Sequence, residues 1–197
     1  ITGLRGHYDD LFLPLHGKHQ ASNAAAALIA VEAFFGEQDL DIDAVRRAFA
    51  NLTSPGRCEI IHRDPTIILD AAHNPHGAQA IAETLASEFT FDDVTGIVAL
   101  MADKDALGIL QALEPVMNQI IVTENSAERS MGVGELTNLA NQVFGSDRVF
   151  AEPTLAQAIE RAIKDSIRAL SDESLAILIT GSVVTVGEAR TAVRKKY

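Results

Sequence analysis

Cysteine, tryptophan and positive charge are what this sequence has least of. There is no tryptophan, and a single cysteine, Cys58, excludes an internal disulfide. Sixteen Lys and Arg against 27 Asp and Glu leave a formal charge of −11. A field of that sign repels phosphate backbones and anionic lipid, which argues against nucleic acid and membrane as partners; small anions must be met by local donors. No apolar run approaches the roughly 20 residues that span a bilayer. The first residues carry neither the basic start nor the long apolar stretch of a signal peptide, so a soluble, cytoplasmic chain is expected. Because the sequence opens on Ile1 without methionine, it is expected to be a piece of a longer chain.

Apolar residues are plentiful, at 47% of 197, enough for one good core or for one domain plus part of another. In "QASNAAAALIAVEAFF" the positions Ala24, Leu28, Val31 and Phe35 form a helical stripe that stops at Gly36, and a shorter helix is expected over Asp43–Ala50. Turn formers then collect in "NLTSPGR", which sets a domain boundary near Ser54. "CEIIHRDPTIILD" reads as two short strands about Asp64-Pro65.

Beyond that point apolar runs at Thr66–Asp70, Val94–Met101, Gln119–Thr123, Arg148–Phe150 and Leu175–Thr180 alternate with helical segments. Such alternation implies an α/β fold with a mostly parallel sheet covered by helices on both faces. One covering helix is expected over Thr154–Leu170, with Leu155, Ile159, Ile163 and Ile167 four apart. Pro75 and Pro153 are expected in first turns of helices.

In an open parallel sheet ligands collect beyond the carboxyl ends of the strands, which directs attention to three polar clusters. In "DAAHNP" Asn74 suits a helix cap and Pro75 the first helical residue, which leaves Asp70 and His73 without an evident structural job. The alternatives are a strand-end turn residue for Asp70 and, for His73, a buried imidazole bonded to a backbone carbonyl. In "MADKD" Asp103, Lys104 and Asp105 follow a strand, as one cap and two solvated charges or as a site. In "ITGSVV" Gly181 permits a tight turn and Ser182 suits a cap.

Several motifs fail. Gly17-Lys18 lacks the first glycine and the hydroxyl of a phosphate loop, "MGVGEL" has Thr137 where a dinucleotide fingerprint needs its third glycine, and "GSVV" is no nucleophile elbow. The histidines 16, 19, 62, 73 and 76 come without a cysteine pair or a usefully spaced third ligand, so no metal site is assigned.

Taken in order and spacing, "LHGKHQASNAAAALIAVEAF", "SPGRCEII", "IILDAAHNPHGAQAI", "MADKD" and "ITGSVVTVGEAR" resemble the C-terminal half of folylpolyglutamate synthase/dihydrofolate synthase, a branch of the Mur ligase family. The resemblance implies that residues 1–53 end a central ATP-binding domain, as a helical remnant, and that residues 54–197 form a Rossmann-like C-terminal glutamate ligase domain. It implies an ATP-dependent amide ligase: a substrate carboxylate is phosphorylated, and the amine of glutamate attacks the acyl phosphate. The acceptor would be dihydropteroate or a folate, and the chain a cytoplasmic monomer.

By the same resemblance Arg57 would reach the ATP phosphates, and Asn23, with His19 or Gln20, the nucleotide base. Asp70 would lie near the ribose and the domain junction, His73 near glutamate and phosphate, and Ser182 toward the amino acid. Asp103, Lys104 and Asp105 match without an assigned role. The family's phosphate loop and its magnesium-binding residues have no counterpart here, so ATP and Mg2+ would need the rest of the protein and the chain alone would be inactive. A peptidoglycan-precursor ligase of the same family and a non-catalytic nucleotide-binding domain are the competing readings.

Overall fold

The computed structural model describes residues 1–168 and 174–196. The chain divides into two compact units, Ile1–Pro55 and Gly56–Tyr197.

The first unit holds helices α1 (Lys18–Phe35) and α2 (Ile42–Ala50). Helix α1 starts two residues before the expected Gln20, with Gly17 as its N-cap at φ 99°. Tyr8, Ala24, Leu28, Val45 and Phe49 form a small core. Beside it Glu32 is buried, and its carboxylate accepts from the Tyr8 hydroxyl at 2.8 Å and from the backbone N–H groups of Leu4, Arg5 and Gly6. Burial pushes this carboxyl up, but those four donors outweigh it and hold it below its ordinary value.

The second unit is a six-stranded sheet. Its strands are β1 (Glu59–Arg63), β2 (Thr66–Asp70), β3 (Asp93–Val98), β4 (Gln119–Val122), β5 (Val149–Ala151) and β6 (Leu175–Thr180), in the order β1-β2-β6-β3-β4-β5. Only β1 runs antiparallel, as a hairpin on β2. The mostly parallel sheet expected from the alternating pattern is therefore present.

Side chains alternate between two cores, as period 2 requires. Ile68, Val98, Ile120 and Leu178 pack under α3 (Pro75–Glu88), α4 (Ala106–Leu113) and α5 (Val133–Phe144). Ile67, Leu69, Ile97, Ile121, Ile177 and Ile179 pack under α6 (Leu155–Arg168) and α7 (Val183–Lys196). Both faces being covered explains the unbroken apolar strands.

Three local expectations are corrected. The run Val94–Met101 leaves the sheet after Val98, because Leu100 and Met101 pair instead with the loop at Ser130–Met131. Pro153 precedes the α6 cap and is not in its first turn; the Thr154 hydroxyl accepts from the Gln157 N–H at 3.3 Å. Ile167 is 72% exposed. Four residues advance a helix by about 40° beyond a full turn, so a strict four-residue series drifts off the buried face, and Ala158 and Ala162 complete that face instead. Leu170, the expected helix end, lies outside the described residues.

Candidate functional site

Strand order and helix placement locate the crevice. The chain leaves β2 and β3 toward the α3–α4 face, whereas β6, which lies between them, exits to α7 on the opposite face. Neighbouring strands whose connections part in this way leave a gap beyond their carboxyl ends, where helix N-termini present free N–H groups. Its floor is the β6 exit, and its flanks are the exits of β2 and β3.

On the β2 flank Asp70 is buried. Its Oδ1 accepts from Ala72 N and its Oδ2 from Cys58 N, both at 2.9 Å, while the Gly56 carbonyl accepts from Ala71 N at 2.8 Å. Through Ala72 N Asp70 takes the strand-end turn role that its sequence position left open, and through Cys58 N it adds a tie that sequence reasoning did not find, from the end of β2 to the turn ahead of β1. Cys58, buried against this carboxylate, has its thiol pushed up to about 12, first by burial and then by the charge of Asp70.

Arg57 projects from that same turn and is exposed. Glu59, two residues on, accepts from Gly56 N at 2.7 Å and takes a two-pronged ion pair from Arg190 of α7, so the turn is fastened from both sides. His73, half-buried, places Nδ1 3.0 Å from the Ala71 carbonyl. A carbonyl only accepts, so Nδ1 carries a proton and donates, and Nε2 is the ring nitrogen not engaged by this bond. Asn74 caps α3 through Gly77 N at 2.8 Å with Pro75 as the first helical residue, as the sequence implied.

On the floor Gly181 has φ 118°, and a Cβ there would lie 2.3 Å from the Ala99 carbonyl oxygen. Ser182 is buried and caps α7, its Oγ accepting from Thr185 N at 3.0 Å. The amide of Asn125 donates to Ser182 Oγ at 3.3 Å and to Thr185 Oγ1 at 3.0 Å. The Thr185 hydroxyl donates to the Ala99 carbonyl at 3.0 Å, so Ser182 must be the donor in their 2.8 Å contact. Every proton and lone pair of the two hydroxyls is then used. Ser182 is a cap within a closed network, the structural alternative that its sequence position left open.

On the β3 flank Asp105 caps α4 through Gly108 N at 2.9 Å. Asp103 pairs with Lys104 at 3.1 Å and with Arg129 at 3.9 Å. The Lys104 bond, opposed by burial, holds the Asp103 carboxyl below its ordinary value.

His19 and Asn23 belong to the other unit. Both are exposed on α1, and the Asn23 amide donates to Gln20 Oε1 at 3.2 Å. Gln20 itself is buried.

Asn125, Thr185 and Arg129 were missed in sequence. The signal for Asn125 and Arg129 was a polar run, Thr123 to Ser130, directly behind an apolar strand, the same sign that marks Asp70 and Asp103; Thr185 stands among apolar residues three positions after Ser182 and carried no such signal. A cavity of about 580 Å³ opens at the amino ends of β3 and β4, lined by Leu85, Phe89, Phe91, Met117 and Arg148. It lies at the opposite end of the sheet from these groups, and its guanidinium is committed to Glu114 and to the carbonyls of Phe144 and Met117. Among the described residues no helix is long and apolar enough to cross a membrane, and no three His, Cys, Asp or Glu side chains are grouped to hold a metal ion.

Comparison with known proteins gives the following. The family model described as "Mur ligase, glutamate ligase domain" matches residues 56–183. A dihydrofolate synthase/folylpolyglutamate synthase of Mycobacterium tuberculosis is 48% identical over 202 residues, covering 97% of this chain and 42% of that protein. A probable bifunctional folylpolyglutamate synthase/dihydropteroate synthase of Halobacterium salinarum is 34% identical over 179 residues, covering 91% of this chain and 21% of that protein. Among solved structures, M. tuberculosis folylpolyglutamate synthase complexed with ADP and AMPPCP superposes with a TM-score of 0.90 at 51% identity, over 96% of this chain and 43% of that one. Escherichia coli FolC in complex with DHPP and ADP gives 0.83 at 25% identity, over 98% and 43%. The chain spans less than half the length of each of these relatives.

Proposed function

Since this chain belongs to the Mur ligase family through its glutamate ligase domain, we propose that it is part of an ATP-dependent ligase. That ligase adds L-glutamate to dihydropteroate, to (poly)glutamylated folates, or to both, through an acyl phosphate. The observation that carries the reading is the 48% identity to a dihydrofolate synthase/folylpolyglutamate synthase across nearly the whole chain. The polar crevice at the exits of β2, β6 and β3 supports it.

Phosphoryl transfer and amide formation need cations on the phosphoryl oxygens and an amine held close to the acyl carbon. Arg57, exposed on a turn fastened by Asp70, Glu59 and Arg190, is assigned to the ATP phosphates, which its planar guanidinium meets bidentately. His73 faces the same flank with Nδ1 engaged by the Ala71 carbonyl, which leaves Nε2 as the nitrogen assigned to the glutamate side. Asn23 and His19 are assigned to the nucleotide base, and Asp70 to the ribose edge. Ser182 is assigned to the glutamate side through the helix start it caps, not through its own committed hydroxyl.

ATP supplies the phosphoryl group when bound. The described residues do not fit a metal site, so no step is routed through Mg2+ here, and its ligands are assigned to the remainder of the protein. The protein is placed in the cytoplasm, as a monomer.

The test uses the complete protein beside residues 1–197 alone, each mixed with ATP, Mg2+ and glutamate. The acceptor is either dihydropteroate or a peptidoglycan precursor, and ADP release is followed. Turnover by the complete protein with the pterin, and none by residues 1–197, is the expected result. Turnover only with the peptidoglycan precursor overturns the folate assignment, and turnover by the isolated chain overturns the division of the active site.

A further inference from the structure

The turn that carries Arg57, Gly56 to Glu59, opens the sheet unit, and it is not a conformation that its own residues favour. Gly56 has φ 75° and Cys58 φ 44°, and the second is a left-handed backbone that costs an L-residue energy. The turn is therefore held by its ties. Cys58 N donates to Asp70, Ala71 N to the Gly56 carbonyl, and Gly56 N to Glu59.

One of these ties carries a risk for Arg57. Glu59 stands two residues away on a partly solvated turn, and an unpaired carboxylate there attracts the nearest mobile cation. In a chain of net charge −11, an arginine meets an incoming phosphate only if the chain's own carboxylates are otherwise occupied.

Arg190, on α7, occupies this one. Its Nη1 donates to Glu59 Oε1 at 2.8 Å and its Nη2 to Oε2, a planar fork on a planar carboxylate, while Gly56 N donates to Oε2 at 2.7 Å. Arg190 is only 20% exposed and Glu59 26%, so water and salt screen the pair weakly. One helical turn earlier, buried Val186 packs under the same turn, where a Cβ on Gly56 would stand 3.0 Å from its Cγ1. Helix α7 thus seats the turn by contact and by charge. Arg57 is left exposed between two buried neighbours, Gly56 and Cys58.

We propose that Arg190 is a positioning residue for Arg57: it neutralises Glu59 and keeps it in the turn, so that the Arg57 guanidinium is presented to phosphate and is not captured by Glu59. The proposal rests on the ligase reading above, in which Arg57 meets ATP.

The test is steady-state kinetics of the complete protein, with ATP and glutamate each varied while the other is saturating. The variants are Arg190→Gln, Arg190→Lys and the double variant that joins Arg190→Gln to Glu59→Gln. In Arg190→Gln, kcat/KM for ATP should fall about tenfold, as for loss of one charge-assisted contact, while the KM for glutamate stays within about twofold. Arg190→Lys, which keeps the charge but one prong only, should lose about threefold. The double variant should recover most of the loss, because an amide at position 59 still accepts from Gly56 N but no longer attracts Arg57. An ion pair that merely stabilised the fold would leave the double variant no better than the single one. That outcome, an unchanged kcat/KM for ATP in Arg190→Gln, or an equal loss toward glutamate overturns the role of Arg190 and leaves the ligase reading standing. Should Arg190→Gln fail to fold, Arg190→Lys decides by the same split between ATP and glutamate. Absence of glutamate-dependent ADP release from the unsubstituted protein overturns both.

Discussion

Replacing Gly181 by alanine should destabilise the sheet unit severely, although the change adds one methyl group. At φ 118° an L-residue is strained by about 1–3 kcal/mol. The new Cβ would stand 2.3 Å from the Ala99 carbonyl oxygen, where ordinary contact begins near 3.4 Å, so β6 and the β3 exit must part by about 1 Å. That carbonyl accepts from the Thr185 hydroxyl at 3.0 Å, and Ala99 N donates to Thr180 O at 3.3 Å. Parting the chains strains both bonds, and one buried group left unpaired costs about 1–3 kcal/mol. The sum is about 2–6 kcal/mol, which at a typical slope of about 2 kcal/mol per molar moves the urea midpoint down by about 1–3 M.

Gly187 is the control. It lies inside α7 with nothing within 4 Å of its added Cβ, so Gly187→Ala should gain up to about 1 kcal/mol. Urea unfolding followed by far-UV circular dichroism, with hydrogen exchange at the β6 amides to isolate the sheet unit, measures both. A Gly181→Ala midpoint within error of the unsubstituted protein would refute the reasoning, as would equal losses in the two variants.

Two further outcomes follow from buried titratable groups. Because the Glu32 carboxyl is held below its ordinary value of 4.5, its contribution to the Ile1–Pro55 unit is present in full above about pH 5 and is lost as pH falls through the depressed value. Hydrogen exchange at Leu4 and Gly6 should accelerate in acid more than in the Glu32→Gln variant, and identical pH profiles for the two proteins would count against that carboxylate as the anchor. Cys58, its thiol pushed up to about 12 in a buried position, should resist a thiol reagent at pH 8 until the chain unfolds. Rapid stoichiometric labelling of the folded protein would contradict it.

Local rules were legible where cause and effect lie within a few residues. Asn74-Pro75 announces a helix start because the cap bonds to the N–H three positions on. The strands announce themselves because a sheet covered on both faces needs apolar side chains at every position. Reading failed where the deciding partner is remote. Met101 prolongs an apolar run, yet pairs with Ser130, and Ile167 extends a four-residue series that the helix geometry rotates into solvent.

The sequence by itself determined the alternating α/β plan, the cap of α3 and, through five ordered motifs, the family to which residues 56–183 are matched. Only the tertiary structure decided what the polar residues at the strand ends do. Asp70 reaches back 12 positions to Cys58, and Asn125 reaches forward 57 positions to Ser182. The parallel sheet order brings these strand ends to one edge, and strand order is not written in any single strand. Whether a carboxylate or hydroxyl there is committed or open to a ligand depends on neighbours distant in the chain. By that criterion Ser182 is closed, while Arg57 remains open.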